Sequence, residues 1–388
     1  MKPRFMDIAV CPLERTPVEL VEWETVPAFL SDEEVGRITA IGLDPSSFSR
    51  EIVTGVLVNR TRKVFYPIYR GVPRLLISST GLTREFMKVH AERIARELPG
   101  FTLPHEKPAP GEKDILRSFS KEWVSYDWNP KAYWNLTPED MYRSMRFIMD
   151  LDSRPIRHKL VLEMGIGIGG IADYISRSED CEMVGVDLGY AVDAAQKHFG
   201  HNPLLHDIQA SVFAPPFREN TFDFVYSQGV IHHTYSTRTA FEQLAKLPKI
   251  GGRLYIWVYS PYDYDEDRNW QHRILMKMER VIRPVIWRLP DSLQAVTLAP
   301  IVPLYLAYEN VSMRNRDESY IKYGWREAMH AARDRFTPRY AHRHTEEEVS
   351  GWFRDAGYTA LQCAGKRKRP GFVPIWLVLH TAVDGVRS

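Results

Sequence analysis

The chain has 388 residues, 44% of them hydrophobic and 26% charged, with a formal net charge of +2. That length suits about two or three domains at roughly 150 residues each. The composition is ordinary for a globular protein, and the basic surplus of a dedicated nucleic-acid binder is missing. Three widely spaced cysteines, Cys11, Cys181 and Cys363, offer no disulfide framework, which fits a reducing compartment. The opening stretch MKPRFMDIAVCPLERTP has no apolar signal-peptide core. The most apolar later run, QAVTLAPIVPLYLAY at 294–308, is too short to span a bilayer and holds two prolines. The expectation is a cytoplasmic protein without stable membrane insertion; homodimerisation stays open.

In chain order, residues 1–77 carry short β-rich runs, TGVLVN and KVFYPIYRGVPRLLI. Residues 78–115 combine a helical pattern, REFMKVHAERIAREL, with a Pro-rich linker. Residues 116–150 are dense in aromatic side chains. From 158 onward strands and helices alternate. KLVLEM, EMVGVDL, PLLHD, FDFVYSQ and GGRLYIWVYS read as five strands, with helices beginning at IADYISR, AVDAAQKHFG (stopped by Gly200) and RTAFEQLAKL. A late helix, TEEEVSGWFRDAG, opens on a capping-box pattern, Thr345 with Glu348. Two strands, YTALQCAG and PIWLVLHTAV, close the pattern. Such alternation implies an α/β architecture, a parallel sheet covered on both faces by helices.

The turn after the first of these strands reads VLEMGIGIGG. Gly165, Gly167 and Gly170 satisfy G-x-G-x-x-G between a strand and a helix. Glycines there permit a tight turn and let a ligand reach backbone amides, a pattern that serves nicotinamide and flavin cofactors as well. Asp187 ends the second strand, 22 residues after Gly165, where an acid accepts from ribose hydroxyls. Asp207 is read as the end of the third strand, and FDFVYSQGVIHHT forms the fourth with its exit.

Taken in order, these segments resemble the Rossmann-like S-adenosylmethionine-dependent methyltransferases, in particular the small-molecule type, over residues 116–388. The resemblance implies a seven-stranded, mostly parallel sheet whose last strand, PIWLVLHTAV, is antiparallel. It also implies S-adenosylmethionine as cofactor. It places Glu163 near the methionyl ammonium, brings the backbone of Gly165, Gly167 and Gly169 against the cofactor, and gives Asp187 the ribose with Leu188 beside it. Asp207 would face the adenine amino group with Ile208 along the ring, and Ser227 and Gln228 would border the methionine part. His232 and His233 fall on the active-site rim, and His233 is the choice for a catalytic base.

A second resemblance covers the N-terminal residues. YPIYRGVP at 66–73 and CPLE at 11–14 look like the zinc-ribbon domain that accompanies many methyltransferases. Its four ligand positions fall on Cys11, Glu14, Asn59 and Arg62. Only one is a cysteine and an arginine cannot bind zinc, so no metal is expected and packing is expected to hold this domain.

About 85 residues separate the fifth strand from Thr345, far more than such a crossover needs. The segment 262–340, which includes RILMKMERVIRPVIWRLP, reads as a helical lid over the substrate, with a packing or dimer element as the other reading. Trp123, Tyr126, Trp128, Tyr133 and Trp134 are candidates for an apolar wall facing a sulfonium. KRKRP at 366–370 reads as a basic hairpin tip, and the two histidines of HRHT at 342–345 lack further metal ligands nearby. The function expected is methyl transfer to a small-molecule acceptor at oxygen or nitrogen, without nucleic acid. An RNA methyltransferase and a non-catalytic cofactor-binding partner subunit are the alternatives.

Overall fold

The computed structural model describes residues 1–124, 136–261, 270–304, 306–307, 324–368, 370, 373, 377 and 380–388. The N-terminal part builds β1 (Glu19–Pro27), helix α1 (Asp32–Ala40), β2 (Arg50–Asn59), β3 (Val64–Tyr69) and β4 (Val72–Leu75), an antiparallel meander. The hairpin between β3 and β4 turns on Arg70 and Gly71, both with positive φ (56° and 78°), the two-residue geometry that matches strand twist. Helices α2 (Gly81–Val89) and α3 (Ala91–Glu97) bury Phe86, Ile94 and Leu98 against Val56, Val58 and Phe65. The expected single helix at 84–98 is thus two, broken at His90, and α2 starts earlier, capped by Thr80. The Pro-rich stretch lies along β3, where Phe65 N donates to Thr102 O at 3.0 Å.

Helices α4 (Glu112–Val124) and α5 (Pro138–Ile148) lead into the alternating region. It runs β5 (Leu160–Met164), α6 (Gly170–Glu179), β6 (Glu182–Asp187), α7 (Ala191–Phe199), β7 (Leu205–Ala210), β8 (Phe222–Gln228), α8 (Thr237–Leu244) and β9 (Pro248–Val258). Helices α9 (Trp270–Ile286), α10 (Asp291–Leu298) and α11 (Trp325–Phe336) follow, then α12 (Glu346–Asp355), β10 (Tyr358–Cys363) and β11 (Thr381–Arg387). Thr345 caps α12 by accepting from Glu348 N at 3.1 Å. The Glu348 carboxylate turns instead to His344 Nδ1, at 2.9 Å, so only half of the expected box forms.

All the strands join one sheet, in the order β1-β2-β3-β4-β7-β6-β5-β8-β9-β11-β10. Among the described residues the sheet therefore has eleven strands, not seven. Seven come from the alternating region, and β4 adds the N-terminal meander by pairing parallel with β7, Arg74 opposite Gln209 and Leu75 opposite Ala210. This pairing covers an edge that would otherwise expose unpaired backbone groups. The last strand is antiparallel to β9 as expected, but it begins at Thr381 instead of Pro374. PIWLVLH, residues 374–380, precedes it and lies largely outside the described residues.

Alternation along the strands separates two cores. Leu162, Met164, Val184, Val186, Ile208 and Ile256 face one that also contains Phe5, Ile8, Leu57 and Tyr66 of the N-terminal part, together with Trp352 and Phe353 of α12. Val161, Met183, Leu205, Phe224 and Tyr226 face the other, against Met145 and Ile148 of α5 and Ile171 and Ile175 of α6. The N-terminal meander thus shares a core with the alternating region. Polar ties reinforce the junction: Arg4 grips Glu182 through Nε and Nη2 (2.9 and 3.0 Å), and Lys2 Nζ donates to Gly200 O and Leu205 O (2.9 and 2.7 Å). The insertion has a small core of its own, with Ile286 of α9, Leu298 of α10 and Ala328, Ala332 and Phe336 of α11.

Candidate functional site

Parallel strands β5, β6 and β7 end at one edge of the sheet. The register places Glu163 beside Gly185 and Gly185 beside Asp207 in one row; Asp187 and Gln209 pair two rows further toward the strand ends. Asp187 ends β6. Its Oδ2 accepts from Gly167 N at 3.0 Å and its Oδ1 from Gly189 N at 2.6 Å. The glycine turn and the turn after β6 are therefore fastened to one carboxylate. Burial pushes its pKa up, against the pull of the two amides.

The glycines do different work. Gly165 has φ of +97°, and a Cβ there would lie 2.1 Å from Val230 Cγ2; Gly169, with φ of +82° at the N-cap of α6, would place one 2.7 Å from Ala195 Cβ. Both are required by backbone conformation and neighbouring packing, the tight turn expected of them. Gly167, with φ of +55°, presents its amide to Asp187.

Glu163 is buried and has its pKa pushed up to about 8, by burial first and by Asp187 in addition, with Tyr226 pulling the other way. Its Oε2 finds no hydrogen-bond partner among the described residues. An unpaired buried carboxyl oxygen is costly unless a donor arrives.

Asp207 and Ile208 are placed differently from expectation. Asp207 is the third residue of β7, not its end, and both its oxygens are buried without a hydrogen-bond partner among the described residues. Burial raises its pKa to about 7, while the Lys2 and Met1 ammonium groups pull the other way. Ile208 is fully buried in the core on the opposite face. The residue just past the end of β7 is Ser211, which donates to the Glu112 carboxylate at the start of α4. Counting β7 in register with β6 would have found this, because Asp187 pairs with Gln209.

Leu188 follows Asp187, and its carbonyl accepts from Gln209 Nε2 at 2.9 Å. Ser227 is fully buried and donates to Met164 O at 3.0 Å, so its hydroxyl is committed to the neighbouring strand. Gln228 sits at the end of β8, with its Oε1 accepting from Tyr255 Oη at 3.0 Å.

His232 and His233 form a short 3-10 turn after β8. His233 Nδ1 lies 2.8 Å from Tyr340 O. A carbonyl only accepts, so Nδ1 carries the proton and Nε2 presents its lone pair. Nε2 has no hydrogen-bond partner among the described residues, and burial pushes the His233 pKa down to about 3. His232 is fully buried, with its ring 3.9 Å from that of Tyr259 and 4.2 Å from that of His233. Its pKa is also driven down, by burial first.

Helix α4 closes over these parts with three consecutive residues. Ser118 Oγ bonds Thr337 Oγ1 just past α11 (3.1 Å), the Phe119 ring lies 5.2 Å from that of His233, and Ser120 Oγ accepts from Tyr190 N (2.8 Å). Tyr126, Trp128, Tyr133 and Trp134 lie outside the described residues. KRKRP is not a free tip: Arg367 donates to Phe147 O and Gln362 Oε1 (2.6 and 2.5 Å), and Lys366 pairs with Glu346.

Three of the four zinc-ribbon positions, Glu14, Asn59 and Arg62, are linked in other bonds, and Cys11 contacts Tyr66. Arg62 Nε lies 3.7 Å from Glu14 Oε1, Asn59 Oδ1 accepts from Arg62 N at 2.9 Å, and Cys11 Sγ lies 3.1 Å from Tyr66 Oη. No cluster of three or more His, Cys, Asp or Glu fit to hold a metal occurs among the described residues.

Comparison with known proteins bears on this geometry. The family model for a methyltransferase domain matches residues 162–256, the span holding Glu163, Asp187 and the histidine pair. The chain carries a methyltransferase domain. The model for Trm112p-like proteins matches residues 2–71, the N-terminal meander. Among curated relatives, sterol 24-C-methyltransferase ERG6 of Saccharomyces cerevisiae is 28% identical over 30% of this chain and 32% of its own length. Phosphoethanolamine N-methyltransferase of Triticum aestivum is 32% identical over 29% and 22%. The chain thus spans about a third or less of these relatives' lengths. Among solved structures, a Thermotoga maritima methyltransferase described as a possible histamine N-methyltransferase covers 71% of this chain and 100% of its own, at 13% identity and a TM-score of 0.41. A chain from the complex of the Haloferax volcanii Trm112 methyltransferase activator covers 69% and 96%, at 12% and 0.37.

S-adenosylmethionine is the cofactor of such a domain, and the side chains present fit it. The unpaired Glu163 oxygen suits an ammonium group, and Asp187 ends β6 where a ribose diol is accepted. No helix of the described residues is long and apolar enough to cross a membrane.

Proposed function

We propose that this protein transfers the methyl group of S-adenosylmethionine to a small-molecule acceptor, at oxygen or nitrogen. The carrying observation is the pairing of an unsatisfied buried carboxyl, Glu163, with the amide-fastened Asp187 on adjacent strands. Relatives named for a sterol and for phosphoethanolamine support a small acceptor, and a net charge of +2 gives little attraction for a nucleic-acid backbone.

When bound, the cofactor supplies an electrophilic methyl group on a sulfonium. Glu163 takes the ammonium end and Asp187 accepts from the ribose. Helix α4 and the strap 340–344 exclude water over His233, so proximity and exclusion of water do most of the work. His233 Nε2, bare and held by the Nδ1–H bond to Tyr340 O, receives the acceptor's proton. Its low pKa suffices, because a hydroxyl oxygen becomes strongly acidic as it gains a methyl group. The insertion 262–340 acts as the lid.

Calorimetry with S-adenosylmethionine, S-adenosylhomocysteine and NADH tests the reading. Binding of the first two without the third is expected; NADH binding alone would overturn it.

A further inference from the structure

The geometry points to Arg74, in the N-terminal meander, as a positioning residue that sets cofactor affinity by holding the turn after β6. This inference rests on the reading of Asp187 as the ribose acceptor. Arg74 is 1% exposed, an unusual place for a guanidinium unless it is held by specific bonds. Its Nη1 donates to Asp193 Oδ2 at 3.0 Å and to Gln209 Oε1 at 3.2 Å; its Nη2 donates to Tyr69 O at 3.1 Å and to Asp193 Oδ1. Gln209, itself fully buried, passes the contact on through Nε2 to Leu188 O at 2.9 Å.

The strand register explains why one side chain reaches so far. Arg74, Gln209 and Asp187 lie in a single row across β4, β7 and β6. The turn 188–190 leaves that row and enters α7, whose first turn contains Asp193. Arg74 therefore grips the turn at both ends, through Gln209 at Leu188 and directly at Asp193. Between those ends, Gly189 N donates to the Asp187 carboxylate. The fork of a guanidinium fits two carboxylate oxygens and an amide oxygen at once, whereas an ammonium cannot reproduce that arrangement. Two other junction contacts, Arg4 on Glu182 and Arg37 on Asp180, hold the far ends of β6 and α6. They dock the meander without touching the turn.

The test measures cofactor affinity and catalysis separately in the full-length chain. Arg74→Lys should weaken S-adenosylhomocysteine binding about tenfold, a loss comparable to one charge-assisted hydrogen bond. Gln209→Met should do the same, and the double variant should fall short of the product of the two. Turnover at saturating S-adenosylmethionine should stay within about twofold, because the acceptor and His233 are not touched. Amide exchange should speed up at residues 188–192. Arg37→Lys, a docking contact outside the row, serves as the control: its melting temperature falls and its cofactor affinity does not. Equal affinity losses in Arg37→Lys and Arg74→Lys would reduce Arg74 to a docking residue, and unchanged affinity in both Arg74→Lys and Gln209→Met would overturn the inference. If the unaltered chain bound no S-adenosylhomocysteine, the reading of the cofactor site would fail first, and this inference with it.

Discussion

The Gly167 amide lies 3.0 Å from Asp187 Oδ2, which ties the glycine turn to the end of the neighbouring strand before any ligand arrives. Part of the cost of ordering a binding loop is thereby met in the free protein. Asp187→Ala removes both the fastening and the proposed ribose acceptor, and a loss of about two orders of magnitude in S-adenosylmethionine affinity is expected, on the scale of two charge-assisted hydrogen bonds. Gly167→Val, at φ of +55°, adds backbone strain to the loss and should abolish binding. Calorimetry on folded variants, checked by circular dichroism, measures both; unchanged affinity in Asp187→Ala would remove it from the site.

On the role proposed for Glu163, cofactor binding should depend on pH. The Glu163 pKa in the free protein is raised to about 8, mainly by burial, so the group is protonated at neutral pH. An ammonium ligand favours the carboxylate, so binding releases a proton and affinity rises with pH until it levels near the pKa. The slope approaches about tenfold per pH unit below that point. The sign for stability is the reverse: a carboxyl with a raised folded pKa favours the folded state when protonated, so the free protein loses that contribution as pH rises from 4.5 toward about 8. Affinity measured from pH 6 upward should rise in the unaltered protein and stay flat in Glu163→Gln.

Where buried faces alternate with exposed or oppositely packed ones, the elements were legible: FDFVYSQ is β8 to the residue. β7 was read two residues early and too short, since Asp207 and Gln209 are polar yet buried. Their burial depends on a meander more than a hundred residues upstream, and no local pattern announces it. The same long-range pairing turns seven strands into eleven. As candidates, Asp187 is legible from its spacing after the glycines, and Glu163 from the resemblance that places an acid before them. Arg74, Gln209 and Ser211 were not, because their importance comes from register across strands distant in sequence.

The N-terminal meander should hold no zinc. Two of the four ligand positions carry the Glu14–Arg62 pair, at 3.7 Å and each about a third exposed. Such a pair contributes little, within about 1 kcal/mol. The shared core around Phe5, Leu57 and Tyr66 supplies the stability instead. Elemental analysis should find less than stoichiometric zinc, and chelators should leave the melting temperature unchanged. Leu57→Ala should cost about 2–5 kcal/mol. One tightly held zinc per chain would mean that other ligands serve it.

Helices α9, α10 and α11 have their own small core, separate from the two that flank the sheet. A subunit of this kind can open without disturbing the sheet. Hydrogen exchange in 270–304 and 324–336 should be faster in the free protein and slow when acceptor and S-adenosylhomocysteine are both bound. Slow exchange that ligands leave unchanged would favour a packing or dimer element over a lid.

The two adjacent histidines should separate by role. His233 has a fixed tautomer, Nδ1–H toward Tyr340 O, and an Nε2 with no hydrogen-bond partner among the described residues; the His232 ring packs at a tilt against those of Tyr259 and His233 with no exposure. His233→Ala should lower turnover by about two orders of magnitude, the usual worth of a positioned base, with S-adenosylmethionine affinity nearly unchanged. His232→Ala should mainly cost stability, about 2 kcal/mol for the lost ring packing, offset in part because its two ring nitrogens, buried without a hydrogen-bond partner among the described residues, leave the interior with it. With an acceptor in hand, rates, melting temperatures and pH profiles of the two variants can be compared. The profile distinguishes the mechanisms. With His233 depressed to about 3, the unaltered enzyme should show no histidine limb between pH 5 and 8, and this flatness is what a base kept neutral by burial predicts. Full turnover in His233→Ala would leave alignment and exclusion of water as the whole of the catalysis.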